Sequence, residues 1–297
     1  MARVLVVGIA TLDIINTVDH YPEEDAEVRA SAQAVRRGGN ACNTAVVLQQ
    51  LGHQCSWAGT LADDASSMII REDLAGYAVN MDAVQVVTGG HSPTSYVMLN
   101  QRNGSRTIVH YRDLPEYSLS AFQQIDLACF DWLHFEGRNV AETRAMLDIA
   151  QQQAFIPPCS VEIEKLRPTI ESLYEGAKLL LYSRNYVQSC GAMVDEMNNP
   201  IAFLQAQQQI VPTAEHVCSW AEQGAWGVDR QGTIVHSPAM SLPRVVDTLG
   251  AGDTFNAAII HAKLAGLSLA DCLRDACRLA SQKCAQQGLR GIVSRQY

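Results

Sequence analysis

The sequence predicts an α/β fold in which a mostly parallel central sheet lies between two layers of helices, with a small additional β-sheet. Short apolar runs recur at residues 4–8, 56–59, 132–135, 160–163, 178–183 and 216–220, and each reads as a buried strand. Helical patterns lie between most of them, and this alternation implies βαβ crossovers with helices on both faces of one sheet. Two stretches, 13–36 and 94–110, break the rhythm with alternating residues. The second holds Asn103-Gly104 between strand-like runs, a strong hairpin signal.

Three helices are clear from their starts. Asn40 can cap a helix in which Ala41, Ala45, Leu48 and Leu51 follow at helical spacing until Gly52 stops it. A second is expected from about 253 to 264, entered through Gly250-Ala251-Gly252, and a third from about 270 to 286 in a mostly helical C-terminal third. No repeat, low-complexity tract or Pro- or Ser-rich linker divides the chain. Residues 1–297 are therefore expected to form one main domain, with a small lid built from about 13–36 and 93–112.

Composition narrows the partners. With 47% hydrophobic and 18% charged residues over 297 positions, the chain can bury a sizeable core. A net charge of -9 excludes binding nucleic acid by clustered Lys and Arg, though not a single nucleotide. The nine cysteines include no CxxC pair, so zinc is not expected. No leader peptide or bilayer-length apolar run is evident, and the expectation is a cytoplasmic protein with reduced thiols and no membrane contact.

The strongest candidate site is residues 246–255, where Gly250, Ala251 and Gly252 lead directly into a helix. A turn without side chains exposes backbone N–H groups, and the helix N-terminus adds partial positive charge, so the segment suits an anion such as phosphate. Asp253 would repel a phosphate there unless a hydroxyl lay between them. In that arrangement its carboxylate can accept the hydroxyl proton while the N–H groups stabilise a transferring phosphoryl group. The plainer alternative is that Asp253 only complements the helix dipole. The chain holds neither GxxxxGK[ST] nor a complete dinucleotide fingerprint.

A second candidate is Arg37-Gly38-Gly39-Asn40-Ala41-Cys42-Asn43, which sets Asn40 and Asn43 three residues apart at another helix start. Their amides suit neutral hydroxyls, although a routine cap and a solvated first-turn residue would look the same. Asp13 follows the first strand at the edge where open α/β sheets bind ligands, or is a solvated loop residue. Arg106, after the Asn103-Gly104 turn, could reach a phosphate or lie idle at the surface. Glu136 follows a strand and is a weak signal alone. His134 and His110 read as structural histidines, and Cys42 and Cys284 as pocket walls.

Residues 250–258 together with Gly38-Gly39-Asn40-Ala41-Cys42-Asn43 resemble the paired signatures of the ribokinase-type (PfkB) carbohydrate kinase family. Tyr21-Pro22-Glu23-Glu24-Asp25, Asn103-Gly104-Ser105-Arg106, His134-Phe135-Glu136-Gly137-Arg138-Asn139 and Trp220-Ala221-Glu222 are similar to its ketohexokinase branch. The resemblance implies a ribokinase-like fold, MgATP as phosphoryl donor, a ketohexose such as fructose phosphorylated at its 1-hydroxyl, and a homodimer paired through the lids. It further implies that Asp13, Gly39, Asn40 and Asn43 hold the sugar and that Arg106 reaches both substrates. Asp253 would be the base, with Gly250, Ala251 and Gly252 forming the anion hole. Ala221, Glu222, Gly224 and Cys284 would border the nucleotide, and K+ would sit on the backbone of Asp247 and Thr248. Where many members of the family carry Asn-x-x-Glu, this chain reads Ser183-Arg184-Asn185-Tyr186. Lid residues Tyr96 and Met98 are expected to help choose the sugar.

Overall fold

The computed structural model describes residues 1–153, 155, 157–191 and 199–293. In chain order the strands of the large sheet are β1 (Arg3–Val7), β4 (Gln54–Ala58), β9 (Trp132–Glu136), β10 (Cys159–Ile163), β11 (Leu179–Ser183), β12 (Glu215–Ser219), β13 (Ala225–Val228) and β14 (Ile234–Ser237). They lie in the order β14-β13-β12-β11-β10-β9-β1-β4. All neighbours from β12 to β4 are parallel, and β13 and β14 add an antiparallel edge. All six strands read from apolar runs are present. The antiparallel edge departs from the expected mostly helical C-terminal third: β13 and β14 are short and only partly apolar, and they form by pairing beside β12.

Alternation along each strand divides the core in two. In β1, Val4 and Val6 face α1 (Asn40–Gln50), α2 (Ala65–Gly76), α7 (Ala251–Leu264) and α8 (Leu269–Cys284). Leu5 and Val7 face α3 (Leu119–Phe122), α4 (Val140–Gln151), α5 (Arg184–Gly191) and α6 (Pro200–Ile210). The same split recurs in β11, with Leu179 and Leu181 on the first side and Leu180 and Tyr182 on the second. Period-2 side-chain direction in a sheet covered on both faces requires this.

The two irregular segments supply a four-stranded sheet. Its strands are β2 (Thr11–Val18), β3 (Ala32–Gly38), β7 (Thr94–Asn100) and β8 (Arg106–Tyr111), ordered β3-β2-β7-β8. The Asn103-Gly104 turn joins β7 to β8, with Gly104 at φ 69°. A separate parallel pair, β5 (Thr60–Ala62) and β6 (Gln85–Val87), completes the strands.

The helix starts differ slightly from expectation. Gly39, at φ 95°, occupies the cap of α1, and Asn40 is already helical with no capping bond. Gly250, at φ 78°, caps α7, which begins at Ala251. In both cases the backbone needs a positive φ at the turn, which glycine adopts without strain.

Away from the carboxyl ends of the strands, α7 is tied to the chain start by a histidine pair. The Ala2 N–H donates to His53 Nδ1 at 3.3 Å, so the proton on Nε2 donates to His261 Nδ1 at 2.8 Å. Burial, and then His261, hold His53 down at about 4. Unfolded histidine takes a proton below about 6.5, so the stability from this pair is whole above that pH and is lost as pH falls toward 4. Thermal unfolding from pH 7 to 4.5 should therefore show an acid loss that shrinks by about 1–3 kcal/mol in His53→Gln. Coincident pH slopes for the two proteins would assign the loss elsewhere.

Candidate active site

The carboxyl ends of β1, β9 and β10 meet the starts of α1 and α7, the edge at which open α/β sheets bind ligands. Both helices enter through glycines that permit close packing. A Cβ on Gly39 would stand 2.4 Å from the Ile9 carbonyl oxygen, and one on Gly38 would stand 2.1 Å from Asp13 Oδ2. At Gly252 the space is open, with no atom within 4 Å of a Cβ position. The N–H groups of Gly252 and Asp253 donate to none of the preceding loop carbonyls, whereas Ala251 N–H donates to Thr248 O at 3.2 Å. Among the described residues these two N–H groups meet no acceptor, and the space at Gly252 is open, which is what a helix N-terminus needs to receive an anion.

Asp253 is buried in the first turn of α7. Its Oδ2 accepts from Asn43 Nδ2 at 2.7 Å. Asn43 Oδ1 in turn accepts from Arg37 Nη1 at 2.7 Å, and Arg37 Nε donates to Asp73 Oδ2 at 2.7 Å. Since arginine only donates, it holds the amide oxygen toward itself and the NH₂ toward Asp253. Asp253 Oδ1 accepts no hydrogen bond among the described residues. Burial pushes Asp253 up to about 7, opposed by the Asn43 bond, while the negative charges of Glu164 and Glu136 raise it and Arg37 lowers it. A carboxyl poised near neutral pH with one free oxygen is suited to accept a proton.

A second bridge lies beside the first. Glu162 Oε2 accepts from Asn40 Nδ2 at 3.2 Å and Oε1 accepts from Asn256 Nδ2 at 2.9 Å, linking α1 to α7 through β10. Burial, reinforced by the charge of Asp253, raises Glu162 well above the usual carboxyl range. Glu136 Oε2 accepts from Ile9 N–H at 2.9 Å, and burial raises it despite Arg138 nearby. Asp13 is buried under Gly38 and accepts from Thr11 Oγ1 at 2.7 Å, which with Ser95 and Arg37 opposes an upward push from burial. Asp13 is thus no solvated loop residue. Glu162 was not legible as a site residue, although its place near the carboxyl end of a strand was the available signal.

Strand register sorts the side chains of the small sheet onto two faces. Asp13 pairs across β3 and β7 with Arg36 and Ser95, and Ser95 pairs with His110, so these side chains share one face. Ser95 Oγ lies 3.2 Å from His110 Nδ1, so His110 is hydrogen-bonded as read, although it is exposed. Tyr96 and Met98 pair with Ile14 and Asn16 on the opposite face, away from Asp13. His134 is structural as read, with Nδ1 2.8 Å from Ser160 Oγ.

Arg106 leaves the small sheet and donates from Nη1 to Thr248 Oγ1 at 2.6 Å. Arg36 Nη1 lies 3.6 Å from Asp247 Oδ2. A potassium ion on the backbone of Asp247 and Thr248 does not fit. Asp247 O accepts from Lys283 Nζ at 2.7 Å, Thr248 O accepts from Ala251 N–H, and Lys283 Nζ also lies 3.0 Å from Asp247 Oδ2. Among the described residues no group of three His, Cys, Asp or Glu side chains could hold a metal. At the missing Asn-x-x-Glu, Ser183 Oγ instead accepts from Tyr186 N–H at 3.0 Å and starts α5.

The expected nucleotide residues stand apart from Asp253. Ala221 and Glu222 form a short turn after β12, two strands from β10, and Gly224 at φ 90° closes that turn just before β13. Glu222 is exposed and 3.5 Å from Arg184. Cys284 joins the loop before Gly250, its carbonyl accepting from Val246 and Asp247 N–H at 2.8 and 3.3 Å. Burial raises its thiol, which disfavours the thiolate a nucleophile needs.

The site thus sets a buried carboxylate beside an open, glycine-led helix start on a doubly covered parallel sheet. Residues 1–295 match the pfkB family of carbohydrate kinases, and the chain belongs to that family. It is 38% identical over 299 residues to the ketohexokinase of Mus musculus, covering 98% of this chain and 99% of that protein. It is 25% identical over 296 residues to the ribokinase of Bacillus subtilis strain 168, covering 98% and 96%. The fold matches the ribokinase of Cryptococcus neoformans var. grubii serotype A, solved in complex with ADP, with a TM-score of 0.82 and 20% identity over 99% of this chain and 97% of that one.

The glycine argument can be checked by unfolding in urea. Gly39→Ala meets both positive φ and the Ile9 carbonyl, whereas Gly52, at φ 91°, faces open space. The expected costs are about 2–4 kcal/mol for Gly39→Ala and about 1 kcal/mol for Gly52→Ala. Equal costs would mean that the close approach contributes nothing.

Proposed function

We propose that this carbohydrate kinase transfers the γ-phosphoryl group of ATP to the 1-hydroxyl of a ketohexose such as fructose, with Asp253 as general base. The observation that carries the mechanism is Asp253, buried at the start of α7 with Oδ2 held by Asn43 and, among the described residues, Oδ1 and two neighbouring N–H donors without partners. A hydroxyl bound against Oδ1 loses its proton to Asp253 while the N–H groups of the Gly250-Ala251-Gly252 turn stabilise charge on the phosphoryl oxygens. Asn40, Asn43, Asp13 and Gly39 bound the sugar end, and Arg106 bounds the phosphate end. Magnesium bound with the nucleotide would neutralise part of the phosphate charge. Ala221, Glu222, Gly224 and Cys284 border the nucleotide in this reading. The choice of a ketohexose is supported by the 38% identity to mouse ketohexokinase.

The four-stranded sheet acts as a lid in the proposed enzyme. Its face away from Asp13 carries exposed Val35, Tyr96, Val109 and Tyr111, with Tyr96, Val109 and Tyr111 each at least half exposed. Such an apolar sheet face suits a second copy of the chain, and a homodimer paired through the lids follows. Among the described residues no helix is long and apolar enough to cross a membrane.

Incubation with fructose and MgATP should yield fructose 1-phosphate, identified by NMR; turnover of only aldoses or nucleosides would overturn the ketohexose assignment. Asp253→Asn should bind both substrates and lower kcat by about two to four orders of magnitude. Because the base must be ionised, kcat/KM should fall about tenfold per pH unit below about 7. Arg37→Met frees the Asn43 amide to turn, and its acid limb should move upward by about one unit. Arg106→Ala should raise the KM for ATP, and an unchanged value would return Arg106 to the surface.

A further inference from the structure

We infer that the buried ammonium group of Lys283 is a built-in monovalent cation for the loop that leads into Gly250, so that the enzyme needs no soluble K+. Lys283 lies in the last turn of α8 and is fully buried, a rare position for lysine unless its charge is met. Here it is met by one residue twice, at 2.7 Å by the Asp247 carbonyl and at 3.0 Å by Asp247 Oδ2. A carbonyl and a carboxylate converging on one positive charge are the oxygen donors that hard cations take. The lysine supplies that charge on a tether, so no ion has to be captured from solution.

Every oxygen of Asp247 that can bind a cation is already engaged. Asp247 Oδ1 accepts from Leu249 N–H at 2.9 Å and Oδ2 from Gly288 N–H at 3.0 Å. Arg36 stands 3.6 Å from the same carboxylate, and Arg106 holds the next residue, Thr248. A soluble monovalent ion drawing on the same Asp247 oxygens would compete with Lys283 and meet the charge of Arg36. Burial drives the Lys283 ammonium toward neutrality, and the Asp247 charge opposes it. Through Asp247 the ammonium joins the end of α8, the 285–291 loop and the turn at Gly250, and so sets the direction of the N–H donors of the anion site. A soluble monovalent ion at the same oxygens would do the same work from solution.

The test uses the full chain, freed of K+, in tetramethylammonium chloride and in KCl at equal ionic strength. Wild-type phosphoryl transfer should agree within about twofold between the two salts, and the melting midpoint within about one degree. A saturable stimulation or stabilisation by K+ beyond those limits overturns the inference. Lys283→Met should be slower by about tenfold or more, because the anion turn loses its anchor. Its rate and melting midpoint should both recover in part with K+ and not with tetramethylammonium. A folded Lys283→Met protein indifferent to K+ would show that the ammonium does not stand in for an ion. If Lys283→Met does not fold, the wild-type comparison decides alone, since a K+ response there is sufficient to refute the idea. The activity arm rests on the proposed kinase reaction, while the melting arm does not; failure of phosphoryl transfer in both salts would count against the reaction, and a melting response to K+ against the built-in cation.

Discussion

The hydrogen bond from Asn43 to Asp253 is the constraint on which the site depends, because it brings two helix N-termini, distant in sequence, to one point. It forms only if α1 and α7 approach closely, and small residues along both, including Ala41, Ala45, Ala257 and Ala258, are buried in one cluster. It also requires the amide of Asn43 to point correctly, which Arg37 enforces with Asp73 behind it. Thr44 adds a 3.5 Å contact from its hydroxyl to the Asp253 carbonyl. A carboxylate taken from water in this way is costly unless it is hydrogen-bonded. One strong bond to Oδ2 offsets part of that cost and leaves Oδ1 for chemistry.

The cleft is electrically polar from end to end. Carboxyl groups of Asp253, Glu162, Glu136 and Asp13 gather near β1, β9 and β10, while Lys283, Arg36 and Arg106 gather around Asp247 and Thr248. Under the proposed reaction a neutral polyhydroxyl fits the acidic end and a polyphosphate fits the basic end, so charge alone orients the two substrates. The whole-chain charge of -9 conceals this separation, since an anion responds at short range to the few groups beside it.

Neighbouring arginines in β3 show how a strand distributes roles. Arg36 lies on the face shared with Asp13 and reaches Asp247, whereas Arg37 turns the other way, toward α1 and α2, and reaches Asn43 and Asp73. One strand thus reaches the loop before Gly250 from one face and the amide that holds Asp253 from the other. The same period of two places Ser95 and His110 with Asp13 while turning Tyr96 and Val109 outward.

Much of the scaffold could be read from local signals. Six parallel strands, the Asn103-Gly104 hairpin and the glycine-led starts of α1 and α7 follow from apolar runs, turn chemistry and the freedom of glycine at positive φ, all properties of neighbouring residues. Asp253, Asn40 and Asn43 were legible for the same reason, since they flank those turns. What only the tertiary structure decided are the long-range partnerships. Glu162 bridges residues 122 and 94 positions away, Arg37 governs an amide six residues on by reaching across from a strand, and Lys283 meets Asp247 from 36 positions away. Lysine at the end of a helix ordinarily reads as a solvated charge. It becomes a buried cation here because packing of α8 closes its end over the loop before Gly250, an outcome set by the three-dimensional register of the helices and carried by no short stretch of sequence.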